Sequence, residues 1–147
     1  MTIKFIVIHC SDSPDNREVS ASEIHRWHLE RGWSGIGYNE VVMRSGEVQH
    51  GRPPDWAGAH VQDFNGDGLG NNNDSIGICL IGRDAFNPDQ MDSLAALVGK
   101  YLDEYPDAEV VGHRDLDPRK TCPNFDVRSW WTGVKKPQTR STRNYLR

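Results

Sequence analysis

The chain has no apolar run approaching the ~20 residues a membrane span needs. The longest, Phe5-Ile6-Val7-Ile8, is the length of a strand. No secretory signal is expected either, because Lys4 is followed by only those four apolar residues before His9. Cysteine is scarce. Cys10, Cys79 and Cys122 are odd in number and too few for a disulfide framework, which fits a reducing compartment. Positive charge is not in excess: a net charge of −4 argues against a general nucleic-acid binder. There is no H-E-x-x-H, no C-x-x-C and no internal repeat. What remains is 147 residues with 36% hydrophobic and 26% charged side chains, enough for one domain with a modest core.

The charge is unevenly placed. Residues 133–147 carry Lys135, Lys136, Arg140, Arg143 and Arg147 and no acid, giving +5. The other 132 residues carry 12 bases and 21 acids, giving −9. The expected division is a folded domain over 1–132 and a basic tail over 133–147. The tail is either a solvated end or a contact to an anionic polymer or surface.

Residues 3–10 form a β-branched apolar run that reads as a buried strand ending in His9-Cys10. Ser20-Ala21-Ser22-Glu23 matches a capping box, and Ile24, Trp27, His28 and Arg31 follow at helical spacing until Gly32. Residues 38–44 and 47–50 predict a hairpin turning at Ser45-Gly46. Residues 75–82 predict a strand with Ile76, Ile78 and Leu80 on one face and Cys79 and Ile81 on the other. Asn87-Pro88 opens a helix that Pro106 stops. Residues 109–113 predict a strand ending in His113, and a Pro-rich loop leads to Asp126 and a short helix with Trp130-Trp131. The order β-α-β-β-β-α-β-α predicts a single α/β domain with a central mixed sheet flanked by helices.

His9 and His113 both lie where a predicted strand runs out, the place where α/β folds put their sites. Cys122 follows His113 by nine residues. Two imidazoles and a thiolate suit zinc and leave a tetrahedral position open for water. The alternative is two ordinary strand-end histidines and a buried thiol. Tyr38 opens a predicted strand, and Lys120 sits two residues before Cys122. If Cys122 binds a metal, a cation and a phenol beside it suit a developing oxyanion. Otherwise they are a strand tyrosine and a loop lysine. Cys10 and Cys79 read as core thiols, and Trp27, Trp33, Trp130 and Trp131 as helix-to-sheet packing. Trp56, in the loop PPDWAGAH, is the better candidate for a groove.

Several segments together carry a family resemblance: FIVIHCS (5–11), EIHRWHLERGWSGIGY (23–38), RSGEVQHGRP (44–53), GAH (58–60), NNDSIGICLIG (72–82), PDQMDSLAALV (88–98) and GHRDLDPRKTCPNFDV (112–127). In these the chain resembles the zinc-dependent N-acetylmuramoyl-L-alanine amidases of the type 2 family, which includes the peptidoglycan recognition proteins. It is most similar to the short lysozyme-type amidases of T-odd bacteriophages. The resemblance implies that His9, His113 and Cys122 hold one catalytic zinc and that Tyr38 and Lys120 are the catalytic pair. It implies hydrolysis of the amide joining N-acetylmuramic acid to L-alanine in bacterial peptidoglycan. Recognition proteins that lack activity lack the cysteine, so Cys122 favours an enzyme. His60 matches a groove position, and Asn39 stands where relatives carry a His or aromatic residue near the groove.

The expected role is that of a phage endolysin, a monomer held in the host cytoplasm until lysis and then acting on the periplasmic wall. The basic tail would contact the anionic envelope. The alternatives are a non-catalytic peptidoglycan-binding module, a cytosolic muropeptide-recycling amidase, and a cysteine amidase using Cys10 or Cys122 as nucleophile. Asp63, Asn65 and Asp67, followed by Gly68, match the start of a calcium loop. Asp74 at position 12 in place of Glu, and a strand in place of a helix after it, favour a Gly/Asn-rich surface loop instead.

Overall fold

The computed structural model describes residues 3–54 and 74–135. Five strands form one mixed sheet: β1 (Phe5–Cys10), β2 (Glu40–Val42), β3 (Val48–His50), β4 (Ser75–Leu80) and β5 (Glu109–Gly112), in the order β3-β2-β4-β1-β5. β1 pairs in parallel with β4 and β5, β2 pairs in parallel with β4, and β3 returns antiparallel on the edge. The helices are α1 (Ala21–Glu30), α2 (Pro88–Glu104), α3 (His113–Leu116) and α4 (Val127–Lys135).

Both faces of the sheet are covered, which is why its central strands are nearly continuous apolar runs. Ile6, Ile8, Val42, Ile76, Ile78, Leu80 and Val110 meet Leu94, Leu97, Val98 and Tyr101 of α2, with Val127, Trp130 and Trp131 of α4 closing that core. On the opposite face Val41, Met43, Cys79 and Ile81 pack with Val19, Ile36 and Ile24 of α1. The alternation expected in β4 therefore divides its side chains between two cores.

Each long helix begins where its cap requires. Ser20 Oγ accepts from Glu23 N–H at 3.2 Å, but the Glu23 carboxylate pairs with Arg17 rather than closing the capping box. α1 ends in a Schellman motif. Gly32, at φ +86°, donates to the Leu29 carbonyl at 3.0 Å, and Trp33 N–H donates to the His28 carbonyl at 3.0 Å. α2 has a complete box between Asn87 and Gln90. Gln90, fully buried, also donates from Nε2 to the Ile81 carbonyl at 2.9 Å. That bond ties the first turn of α2 to the end of the β4 segment.

Three expectations change. The strand read over 109–113 stops at Gly112, and His113 opens the short helix α3 in what was expected to be a loop. Here Gly112 N–H donates to Asp115 Oδ2 at 2.8 Å, so the chain turns one residue early. α4 continues to Lys135, three residues into the segment taken as tail. Trp33 does not pack on the sheet. It is 37% exposed, because the left-handed turn at Gly32 carries it over the end of α1.

Replacing Gln90 with Ala removes its bond to the Ile81 carbonyl, which keeps Arg44 Nη1 at 3.2 Å, and also the bond from Asn87 N–H to Gln90 Oε1, each worth about 0.5–1.5 kcal/mol. Chemical denaturation of Gln90→Ala is expected to show a loss of about 2 kcal/mol. An unchanged midpoint would contradict the anchoring role.

Candidate active site

Parallel pairing aligns Ile8 with Gly112, so the residues that follow emerge side by side. The rings of His9 and His113 stand 4.6 Å apart between centroids. His9 is 1% exposed and sits on the sheet face that α1 covers, since it alternates with Ile8 of the other core. Cys122 comes back to the same point from the loop after α3. Its Sγ accepts from Cys10 N–H at 3.0 Å, and its carbonyl accepts from Arg114 N–H at 2.8 Å. Gly112 permits this approach: a Cβ there would lie 2.9 Å from Pro123 Cδ. One ligand atom from each of His9, His113 and Cys122 lies within 4.8 Å of the other two.

Tyr38 stands on the other side of His9, with ring centroids 5.1 Å apart. Its ring is followed by that of His28 at 5.7 Å and then Trp33 at 4.4 Å from His28. Aromatic rings thus run without a break from the rim of α1 to the His9–His113 pair. His28 fixes this row, because its Nδ1 accepts from Gly37 N–H at 2.9 Å and so holds the turn that presents Tyr38. Lys120 is exposed in the loop before Cys122, and its charge reaches His113.

The protonation states suit a metal site. Burial lowers the His113 pKa, favouring a neutral ring with a free nitrogen lone pair. Burial pushes the Tyr38 hydroxyl well above its ordinary range, so it remains a hydrogen-bond donor. The Cys122 thiol is pushed up by its hydrogen bond with the Cys10 thiol and then by burial, while the Cys10 N–H acts in the opposite sense. A cation at the three-residue cluster would reverse that balance by stabilising the thiolate. Burial, helped by the charges of Arg31 and Arg52, brings His28 down to about 4.

Asn39 corrects the sequence reading. It is 3% exposed and faces the interior: Oδ1 accepts from Gly77 N–H at 2.7 Å and Nδ2 donates to the Arg52 carbonyl at 2.9 Å. It pins the start of β2 to β4, and its side chain is consumed by the backbone rather than offered to a groove. Trp56, His60, Asp63, Asn65 and Asp67 lie outside the described residues. Cys10 and Cys79 are buried thiols, as expected. Sequence reasoning passed over His28, which looked like one more apolar-face residue of α1. It also passed over Asp117, whose buried carboxylate is held down to about 2 by Arg119. A separate cavity of about 590 Å³ opens between Ala21, His25, Ile36, Gln49 and Arg52, and it contains none of the residues expected to be catalytic.

Residues 1–125 match the family model described as N-acetylmuramoyl-L-alanine amidase. The endolysin of Escherichia phage T7 is 37% identical over 134 residues, covering 86% of this chain and 83% of that one. The endolysin of Klebsiella phage KP32 is similar to the same degree, 37% over 134 residues with the same coverage. Among solved structures, the N-acetylmuramoyl-L-alanine amidase LysC from Clostridium intestinale URNW superposes with a TM-score of 0.76 at 27% identity. That match covers 92% of this chain and 85% of the other.

His28 gives a pH test. Its folded pKa of about 4 lies below the ordinary 6.5, so the unfolded chain binds the extra proton between those values. The His28 contribution to stability is therefore complete above about pH 6.5 and is lost as the pH falls toward 4. His28→Asn, which keeps an acceptor for Gly37, is expected to flatten the fall in unfolding free energy across that window. Identical slopes in the two proteins would contradict this.

Proposed function

The chain belongs to the N-acetylmuramoyl-L-alanine amidase family, and we propose that His9, His113 and Cys122 hold the zinc ion of a phage endolysin that cleaves host peptidoglycan. The scissile bond is the amide between the lactyl group of N-acetylmuramic acid and L-alanine, whose hydrolysis frees the peptide stem from the glycan. The observation that carries the reading is the convergence of two imidazoles and one thiol, from β1, α3 and the following loop, within 4.8 Å of one another.

The donor set fits the ion. Tetrahedral zinc with nitrogen at 2.0–2.1 Å and sulfur at 2.3 Å keeps its donors roughly 3.3–3.6 Å apart. Closing the present cluster to that size requires only a small movement. When bound, zinc supplies Lewis acidity, lowering the pKa of a water to about 7 and polarising a carbonyl. The protein supplies the remainder. Cys10 N–H hydrogen-bonds the Cys122 sulfur and would steady it as a thiolate once the metal is bound. Tyr38, protonated and packed against His9, donates to the carbonyl oxygen as negative charge develops. The Lys120 ammonium, on an exposed flexible stem, adds a cation to the same oxygen and helps orient the attacking water.

The similarity to phage endolysins supports a role at lysis, with the protein held in the host cytoplasm and acting on the periplasmic wall once the inner membrane opens. No helix among the described residues is long and apolar enough to cross a membrane. In this reading the enzyme works as a monomer, and the basic segment 133–147 adds a contact to the anionic envelope.

Purified sacculi provide the test. The zinc-loaded protein is expected to release L-alanine amino termini, and Cys122→Ser to lose both metal and activity. Lys120→Ala should retain zinc and lose about 10²–10³ in rate, the size found on removing one oxyanion donor. Sacculus binding without amino-terminal release would establish a binding module instead. Activity that survives complete metal removal would overturn the zinc assignment.

A further inference from the structure

Between His113 and Cys122 the chain reverses direction, and one residue, Asp117, holds the reversal with its backbone and clamps Arg119 with its carboxylate. Asp117 ends α3 in an extended conformation, at φ −139° and ψ 97°. Its N–H donates to the His113 carbonyl at 3.0 Å, and its own carbonyl accepts from Lys120 N–H at 3.0 Å. Its carboxylate is 1% exposed, although Pro118, Arg119 and Lys120 are all exposed. Oδ1 accepts from Arg119 N–H at 3.1 Å and from Arg119 Nε at 2.9 Å, and Oδ2 accepts from Nη2 at 2.9 Å. The fork is bidentate, the geometry that gives an Arg–carboxylate pair directional stiffness. An exposed ion pair contributes little to stability, but this one has its anion inside the protein and its cation lying over it. Asp117 therefore touches the backbone of one metal-facing residue and of Lys120, and it closes the loop between them.

We propose that Asp117 is a positioning residue of the amidase site, its buried carboxylate and backbone fixing segment 113–122 so that Lys120 and Cys122 meet His113. The inference rests on the zinc-amidase reading above. Asp117 reaches neither substrate nor metal; it acts through the residues it holds.

The test compares wild type, Asp117→Ala, Asp117→Asn and Arg119→Ala as intact proteins. Zinc affinity is measured by competition with a chromophoric chelator, kcat and KM on a soluble muropeptide, and the thiolate charge-transfer band after cobalt(II) substitution. Asp117→Ala keeps the backbone bonds but releases Arg119, and is expected to weaken zinc by about 10-fold, the low end of the loss seen when a ligand's direct partner is removed. The kcat should fall by a similar factor with KM within about twofold, and the cobalt band should change. Asp117→Asn keeps an oxygen for the Arg119 N–H and should recover most of the loss. Arg119→Ala should share part of it.

Wild-type zinc affinity, kcat and cobalt spectrum in Asp117→Ala would overturn the inference. So would a loss of activity that merely tracks the unfolded fraction in a thermal melt. If Asp117→Ala does not fold, Arg119→Ala and Asp117→Asn decide: reduced zinc affinity in the first and near-recovery in the second support the inference, and wild-type behaviour in both overturns it. A wild-type protein that takes up no zinc overturns the functional reading and this inference together. A normal zinc-loaded wild type beside an unaffected Asp117→Ala overturns the inference alone.

Discussion

Pairing Ile8 with Gly112 in the parallel ladder decides where the reactive groups of this molecule emerge. Side chains alternate along a strand, so a slip of one residue would send His9 into the core beneath α2 and away from His113. The slip is resisted by burial. Ile6 and Ile8 point into one core and Val7 into another, all at 0% exposure. Burying each such side chain contributes roughly 1.5–3 kcal/mol, and a shifted register would place each on the wrong face. The hydrophobic pattern of β1 thus fixes the metal-facing geometry before any polar contact forms.

The polar groups of the sheet then refine what register has set. Asn39 bridges β4 and the Arg52 carbonyl, while the buried Glu40 carboxylate takes the Tyr101 hydroxyl on one side and His50 at 2.6 Å on the other. Both sit directly after Tyr38. A buried polar group is tolerated only when satisfied, so these contacts hold the beginning of β2 in a single position. With His28 gripping Gly37 from above, Tyr38 has little freedom to leave His9. The loop carrying Cys122 is less covered and depends on discrete bonds: Cys10 N–H to sulfur, Arg114 N–H to the Cys122 carbonyl, and the ties made by Asp117.

Much of this was legible from the residues. The histidine near the end of β1, the Ser20 and Asn87 caps and the two-faced alternation of β4 follow from period and capping chemistry, and the structure realises each. Chemistry that depends on side-chain direction was less legible. Asn39 has the right neighbours for a groove residue, yet its amide turns inward because Gly77 N–H and the Arg52 carbonyl both need partners. Trp33 looked like packing until Gly32 turned the chain off the sheet. In HRDLDPRK, Asp115 and Asp117 look alike, and only the fold makes one of them the buried partner of Arg119. The start of α3 at His113 was hidden for a similar reason, since Asp115 caps a backbone N–H that an extended strand would have spent on its neighbour.

X-ray absorption at the zinc edge, on protein reconstituted with one equivalent of the metal, tests the central claim most directly. The account predicts an inner shell with one sulfur near 2.3 Å and two imidazole nitrogens near 2.0–2.1 Å, with the sulfur lost in Cys122→Ser. A shell of oxygen and nitrogen alone in the unaltered protein would contradict it.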